Sequence, residues 1–479
     1  MGDLFALPHL RRPLHPAQTF RWVVLGLVVG FGLSVFIWLP WYVSLGAGGA
    51  VAVLAYIRPT LRVVGLVVIG SLLALARASV LPLPPPANVF VGPQQFAATI
   101  VEEPHATAAA MRYVVQPEVP GLGRVVLITR AWPAYAYGTR LRVSCKKVEL
   151  VDFAGLVSKG LWRQCAFPGL TVLAPAAFSL KGALLTLREG AGGYLKNLLA
   201  EPYASLTAGM LWGDYSGLPT SLADAFRRTG TSHLLAVSGY NVMVLSEILF
   251  TILIALGLWR RQASLIVVGV LALFTVFTGA EASVVRAAAM ASVLVLGRLL
   301  TRRPDRLNLL LGTAAAMLLV SPALITDLGF QLSFGAMAGL MFLSAPLENQ
   351  FTWLPELGGM RQSVAQTMAA TGATLPIILF RLDQLSLVSP FANLLVGPVV
   401  VLVFAFGLPL LLLGAIGWLA LPLVWLLSAV LAYVIAVVES LGSLSWAWAQ
   451  GSVLAWIGAA ALYGAGGWWL WQSAKAKGL

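Results

Sequence analysis

Long apolar runs fill most of the chain, and one stretch of different character interrupts them. A helix needs about 20 residues to cross a bilayer, and the runs approach or exceed that length. The pattern predicts an α-helical polytopic membrane protein of about 12 spans, although 203–230 and 388–416 could instead re-enter the membrane. The predicted spans are 22–39, 42–57, 61–80, 233–257, 263–280, 283–299, 307–321, 329–345, 362–380, 388–416, 418–441 and 452–471.

The interrupting stretch, residues 88–175, carries short β-rich runs separated by turn residues. In one run Arg140, Arg142 and Lys146 alternate with apolar side chains, as in a strand with one solvated face. Five strands in this length predict a small β-barrel, for which the OB-fold is the natural candidate. The predicted strands are Phe96–Val101, Met111–Val115, Arg124–Ile128, Arg140–Leu150 and Leu170–Leu173.

After the barrel, residues 178–200 have an amphipathic pattern. Leucines oppose Lys181, Arg188 and Lys196, and glycines at 190, 192 and 193 predict a break. Such helices lie on a membrane surface. Four regions result: N-terminal transmembrane helices at 1–81, an OB-like domain at 88–175, an amphipathic interfacial segment at 178–230, and a second transmembrane domain at 231–472.

The arginines predict the orientation, because Lys and Arg are enriched in cytoplasmic loops. Clusters before the first span and between the second and third place the barrel outside and both termini in the cytoplasm of a multi-pass plasma (inner) membrane protein. Arg227 and Arg228 are the exception, since they fall on the outer side. The predicted cytoplasmic basic residues are Arg11, Arg12, Arg21, Arg58, Arg62, Arg260, Arg261, Arg298, Arg302, Arg303, Arg306, Arg361, Lys475 and Lys477.

Composition narrows the classes further. The chain of 479 residues is 59% hydrophobic and 10% charged, which excludes an ordinary soluble enzyme, a disordered chain and a fibrous repeat. The four histidines lack metal-ligand spacing, and no GxxxxGK[ST] motif occurs. We therefore expect no metal, no cofactor, no nucleotide-driven motor and no enzymatic activity.

The two cysteines, Cys145 and Cys165, both lie in the domain predicted to face outward. Disulfides persist in that environment, so we predict a bridge between them. The alternative is a pair of buried thiols in the barrel core.

Basic and aromatic residues are interleaved in the barrel, and this combination suits single-stranded nucleic acid. A solvated barrel surface explains the same composition equally well. The candidate DNA-binding residues are Arg124, Arg130, Trp132, Arg140, Arg142 and Lys146, together with Arg227 and Arg228.

Polar side chains within the apolar runs are candidates for function, because they are costly in a membrane. His233 and Asn241 would share a helical face with Tyr240, whereas Ser238 would lie off it; helix packing is the alternative. Arg286 is also a candidate, and the alternative is that it only forms an ion pair with Glu281 or extends its charged end to the membrane interface. Asp327 and Gln331 are four residues apart, and the Asp could be only a helix N-cap.

Four short motifs resemble those of the ComEC family of DNA-internalisation competence proteins, in the order that the family uses. They are His233-Leu-Leu-Ala-Val-Ser-Gly239, Val285-Arg286-Ala287-Ala-Ala-Met290, Gly329-Phe-Gln-Leu-Ser-Phe334 and Pro390-Phe-Ala-Asn-Leu-Leu-Val-Gly-Pro398. The small basic domain before them is similar to the family's N-terminal OB-like domain. Tyr240-Asn241 departs from the family, which more often has an aliphatic residue followed by His.

The resemblance implies a membrane channel that admits single-stranded DNA to the cytoplasm during natural transformation. By chemistry and by family motif, the pore candidates are His233, Ser238, Asn241, Arg286, Asp327, Gln331 and Asn393. The implied partners are a DNA receptor, a separate motor ATPase and cytoplasmic strand-binding proteins, and a homo-oligomer stays open. The chain is expected to be a short form without the family's C-terminal metallo-β-lactamase-like domain, so strand degradation would need a separate nuclease.

Two other functions stay open. A secondary transporter for a small solute predicts inverted repeats and paired broken helices, and no repeat is evident in the sequence. A membrane-embedded transferase would use His233 as a base and would need an acidic or nucleophilic partner, which the sequence does not identify.

Overall fold

The computed structural model describes residues 16–34, 41–57, 62–79, 94–106, 110–119, 123–130, 132–146, 148–150, 163–235, 237, 239–299, 305–354, 359–382, 384–414 and 416–450. Helices dominate it. They are α1 Pro16–Leu33, α2 Trp41–Ile57, α3 Arg62–Ser79, α4 Leu180–Leu198, α5 Tyr203–Trp212, α6 Thr220–Arg228, α7 Gly239–Ala255, α8 Arg260–Phe277, α9 Ala282–Leu299, α10 Arg306–Val320, α11 Leu328–Gln350, α12 Met360–Leu382, α13 Ser389–Val396, α14 Val399–Leu413 and α15 Gly417–Gly442.

Each predicted apolar run within the described residues coincides with a helix or a helix pair, and the run at 452–471 lies outside them. By length and hydropathy, five helices of the described part can each cross a membrane, and a sixth span results if α13 and α14, bent by 41°, count as one. The five are α1, α8, α11, α12 and the Ala420–Gly442 part of α15. The chain is therefore a helical membrane protein, and the number of 12 spans stays a prediction.

The β-rich region folds as one sheet with strands β1 Gln94–Ile100, β2 His105–Ala106, β3 Met111–Pro117, β4 Val125–Thr129, β5 Arg140–Cys145, β6 Glu149–Leu150, β7 Arg163–Ala166 and β8 Gly169–Ala174. The order is β6-β7-β4-β3-β1-β5-β8, with β2 paired to β3. β7 pairs with β4 in parallel, and β8 pairs with β5 in antiparallel. Only Phe167 and Pro168 separate β7 from β8 in the chain, although the two strands lie near opposite ends of this order.

One face of the sheet is apolar and buried. β5 alternates exposed and buried residues: Leu141, Val143 and Cys145 join the core, whereas Arg140 and Arg142 face solvent. The predicted disulfide between Cys145 and Cys165 is present, with the two Cα atoms 6.1 Å apart. It connects β5 to β7, and closing a loop of this length stabilises the fold by about 3 kcal/mol through the unfolded-state entropy.

α4 is one continuous helix through Gly190, Gly192 and Gly193, so the predicted break there is wrong. Helical glycines cost about 1 kcal/mol each but do not end a helix by themselves. Buried Leu185 and Leu195 and exposed Leu180 and Leu187 show that the helix has apolar residues on more than one face.

The chain divides into two compact units. The first comprises Met1–Leu185 and Phe250–Phe330, and the second comprises Thr186–Leu249 and Gln331–Leu479. In the first unit, Arg21 on α1 pairs with Asp305 at 3.2 Å and donates to Asn308 at 3.0 Å. At the other end of α10, Arg77 of α3 donates to the Leu319 carbonyl at 3.1 Å.

The second unit contains two irregular features that matter below. Residues 229–238 connect α6 to α7, with one 3₁₀ turn at Ser232–Leu234. The short strands β9 Gln384–Ser386 and β10 Trp448–Gln450 form an antiparallel pair, in which Trp448 is opposite Ser386.

α1 and α3 pack backbone to backbone through glycines. A Cβ on Gly26 would overlap the Val67 carbonyl, and one on Gly70 would overlap the Val23 carbonyl. Such close approach requires small residues. Gly32, on the same helix, has open space at its Cβ position.

We therefore expect Gly26→Val to separate α1 from α3 and to lower the thermal stability and membrane abundance of the protein. Gly32→Val is the matched control and should leave both within error, since the same side chain meets no neighbour. The measurement is detergent-solubilised melting together with immunoblotting of membranes. Equal behaviour of the two variants would contradict the packing.

Candidate functional site

The connection between α6 and α7 begins with a left-handed turn. Gly230 has φ +70°, its N–H donates to the Arg227 carbonyl at 3.1 Å, and the Thr231 N–H donates to the Phe226 carbonyl at 3.0 Å. These two bonds form the Schellman end of a helix, in which glycine is favoured at the left-handed position. The hydroxyls of Thr229 and Thr231 lie 2.8 Å apart and are fully buried.

The described residues that follow form one 3₁₀ turn and no α-helix, and the apolar ones are buried. Leu234, Leu235 and Val237 are each at most 4% exposed, yet α7 begins only at Gly239. The predicted span from 233 is therefore wrong at its start, and His233 does not share a helical face with Asn241. Apolar residues filled this stretch, but the turn at Gly230 directs the backbone into the protein before a helix can form. Within a membrane, irregular backbone is tolerated where protein buries it or where it lines a water-filled cavity.

A second motif segment contacts this connection. A Cβ on Gly230 would lie 2.8 Å from Ser389 Oγ and 3.0 Å from the Cβ of Ser386. Ser389 begins α13, and Asn393 of the same helix donates from Nδ2 to Ser389 Oγ at 3.1 Å. The structure thus brings the segment before His233 and the segment containing Asn393 together through Gly230 and Ser389.

The helix of this second segment is broken. α13 ends at Val396, Gly397-Pro398 follow, and α14 continues at an angle of 41°. Pro398 supplies no N–H, so the helical hydrogen bonding is interrupted there. A pair of short helices in one apolar stretch is a common way to build polar sites inside membranes.

His233 is exposed beside this contact. Its Nδ1 lies 3.1 Å from the Gly230 carbonyl oxygen. A carbonyl only accepts, so Nδ1 carries the proton in the neutral ring, and Nε2 is left as an acceptor. Protonation would turn Nε2 into a donor for an anion.

The other candidates near this motif have different surroundings. Asn241 is fully buried and donates from Nδ2 to the Met210 carbonyl at 2.9 Å, which ties α7 to α5. Ser238 lies outside the described residues. Gln331 is half-buried near the start of α11, in the second unit.

Two candidates belong to the first unit. Arg286 is 5% exposed on α9, and its Nη1 lies 3.8 Å from the Met290 sulfur. Asp327 accepts a hydrogen bond from the Phe330 N–H at 2.8 Å, so it is the N-cap of α11, the alternative that its position allowed.

The basic candidates of the barrel differ in how far their charge is neutralised. Arg140 makes two hydrogen bonds of 2.6 Å to the Glu118 carboxylate, and Arg124 pairs with Glu102 at 3.3 Å. The hydrogen bonds from Arg140 lower the pKa of Glu118, so this carboxylate stays ionised to a lower pH than an unpaired glutamate. Among the described residues, Arg130, Arg142 and Lys146 have no carboxylate within 4 Å, and all three are exposed.

Trp132 is 82% exposed and follows Arg130 closely in the chain. In the second unit, Arg227 pairs with Asp224 at 3.0 Å, and Arg228 stacks against Trp448. Sequence reasoning missed Gly230, Ser389 and Trp448. Their role depends on tertiary contacts. The only local signals in the sequence were the Gly between two threonines, which indicates a turn, and Ser389-Pro390, which indicates the start of a helix.

Within the described residues, no group of three or more His, Cys, Asp or Glu side chains could hold a metal ion. The protonatable and hydrogen-bonding groups at the Gly230–Ser389 contact can instead bind an anion or a polar chain by hydrogen bonds.

Comparison with known proteins gives an independent result. A stretch of 220 residues is 31% identical to the ComE operon protein 3 of Bacillus subtilis (strain 168), covering 46% of this chain and 28% of that relative. The match therefore spans less than a third of the relative's length. No solved structure matches significantly. Residues 210–475, more than half of the chain and all the elements around Gly230 and Ser389, match the family described as Competence protein. The chain therefore belongs to the competence protein family.

Proposed function

We propose that the protein is a membrane route by which single-stranded DNA enters the cytoplasm during competence. The observation that carries the proposal is the buried irregular segment at Gly230, packed against the broken helix pair α13–α14 inside the matched region. Family membership supports a role in competence DNA uptake, and the site supports a polar passage.

Physical chemistry sets what such a route needs. Single-stranded DNA is a polyanion that bare hydrocarbon excludes, so a path must offer water, hydrogen-bond donors and positive charge. Asn393 supplies a donor beside the Gly230–Ser389 contact, and His233 adds one at Nε2 when its ring is protonated. Arg286 and Gln331 supply a charge and an amide elsewhere. Asn241 and Asp327 have positioning roles at helix ends, and Ser238 belongs to the set through its motif.

Contacts support the proposed orientation. Arg21 and Asp305 belong to segments that the arginine pattern puts in the cytoplasm, and they pair. Arg77 and Leu319 belong to segments that it puts outside, and they bond. β9 and β10 come from two loops that it puts outside, and they pair as well. Each of these contacts joins two segments that are assigned to the same side of the membrane, as the alternation of spans requires.

The barrel is proposed to be an outward-facing OB-like domain that gathers the strand. Its single sheet around an apolar core, with a parallel β4–β7 pair and only two residues between β7 and β8, supports that assignment. A DNA receptor, a motor ATPase and a nuclease would be separate partners.

Deleting the gene should abolish transformation while DNA still binds the cell surface. Transformation at the normal frequency would refute the proposed function.

The orientation is testable with reporters. Alkaline phosphatase fused after Val119 or after Ser445 should be active, because both positions are assigned to the outside. A fusion after Gln350, between α11 and α12, should be inactive there and should fluoresce with a cytoplasmic reporter. A cytoplasmic signal at Val119 would contradict the orientation.

The barrel should bind single-stranded DNA with strong salt dependence. With about three or four phosphates contacted, the slope of log affinity against log salt is about −2 to −3. Arg130 and Arg142 have no carboxylate within 4 Å among the described residues, and replacing both with Ala should flatten the slope by about 1.4. The matched control replaces Arg124 and Arg140, whose charges already pair with glutamates, and should change it less. A slope independent of salt would indicate a structural barrel.

His233→Ala and Arg286→Ala should leave the protein inserted and surface DNA binding intact. Transformation should fall at least about tenfold, equivalent to about 1.4 kcal/mol, if one lost contact limits passage. The controls are Ser232→Ala, at the exposed position next to His233, and Arg261→Ala, at an exposed arginine in the first turn of α8. Measuring membrane abundance in parallel separates transport from packing. A double variant that transforms normally would remove both residues from the route.

A further inference from the structure

In the second unit, the guanidinium of Arg228 on α6 lies over the indole ring of Trp448 in the two-stranded β9–β10 sheet. The Arg228 guanidinium carbon lies 5.6 Å from the centroid of the Trp448 ring, a distance at which cation and ring attract. Arg228 is exposed and Trp448 is half-buried. The guanidinium therefore covers the ring while its own N–H groups stay accessible to a ligand.

This pair is continuous with the candidate site. Trp448 lies opposite Ser386 in the two-stranded β9–β10 sheet, and Ser386 is packed against Gly230. The Gly230 carbonyl in turn contacts His233. α6 itself is held in place by buried Leu222 and Phe226 and by the close approach of Ala225 to Gly442.

The two arginines at the end of α6 differ in their partners. Asp224 pairs with Arg227, whereas Arg228 has no carboxylate within 4 Å among the described residues. In the proposed orientation both arginines lie outside, against the usual enrichment of basic residues in the cytoplasm. An exposed guanidinium stacked on an indole at this position fits an anionic ligand that also carries aromatic rings.

We propose that Arg228 and Trp448 form a stacking site for a base of single-stranded DNA at the outer end of the route, with Arg228 also contacting a neighbouring phosphate. The site rests on the proposed function and deepens it by naming the nucleotide contact. Unpaired bases stack on aromatic rings and on guanidinium planes. Duplex DNA hides its base faces, so the site selects single strands without selecting sequence.

The test uses the full chain in detergent and a single-stranded oligothymidine carrying 5-iododeoxyuridine. Ultraviolet cross-linking followed by mass spectrometry should find the oligonucleotide on peptides that contain residues 224–233 or 443–450. Trp448→Leu should lower the affinity for this oligonucleotide about tenfold. Trp448→Phe should lower it less, because a ring remains, and Arg228→Lys should lower it although the charge is kept.

Trp446→Leu is the matched control. Trp446 is 55% exposed and two residues away, and it should have no effect. The site is overturned if neither peptide is cross-linked, or if Trp448→Leu binds as the wild type does. The proposal is also overturned if the variants lose affinity for the oligonucleotide only in parallel with thermal stability. Arg228 and Trp448 would then merely hold α6 to the β9–β10 sheet. None of these results touches the proposed function, which fails instead if the gene deletion leaves transformation unchanged.

Discussion

The close approach of Gly230 to Ser389 is the contact on which the organisation of the competence region depends. A side chain at residue 230 would collide with Ser389, and the φ of +70° would strain any residue with a Cβ. Because glycine is there, α6 ends in a Schellman turn and the chain enters the protein as irregular backbone. His233 then reaches an exposed position that a helix through this segment would not give it.

Irregular backbone has to satisfy its own polar groups, and here helix-end bonds and threonine hydroxyls do so. Thr229 donates to the Ala225 carbonyl at 2.9 Å, and the Thr231 N–H reaches Phe226. Asn241 satisfies the Met210 carbonyl of α5. With these groups paired inside the protein, Nε2 of His233 remains an acceptor at an exposed position. Asp327 also has a partner inside the protein, because it accepts the Phe330 N–H and caps α11.

The positions of the helices could be predicted from the sequence, because apolar runs of membrane length have few other solutions. The β-strands could also be predicted where alternation was clear, as at Arg140–Cys145, and the disulfide was predicted because both cysteines lie in the domain predicted to face outward. The start of α7 could not be predicted, since the apolar stretch after His233 has the composition of a helix. The stacking of Arg228 on Trp448 joins residues 220 positions apart in sequence and leaves no local pattern.

The central claim is that this chain itself provides the passage for single strands. Transport by the purified protein in sealed proteoliposomes tests it most directly. Labelled DNA is added outside, and a single-strand-binding protein is enclosed to retain the strand that enters. The expected result is protected single-stranded DNA inside, no protected duplex, and a loss of protection with His233→Ala. Protection of neither form, with the protein correctly inserted and its barrel still binding DNA, would contradict the claim.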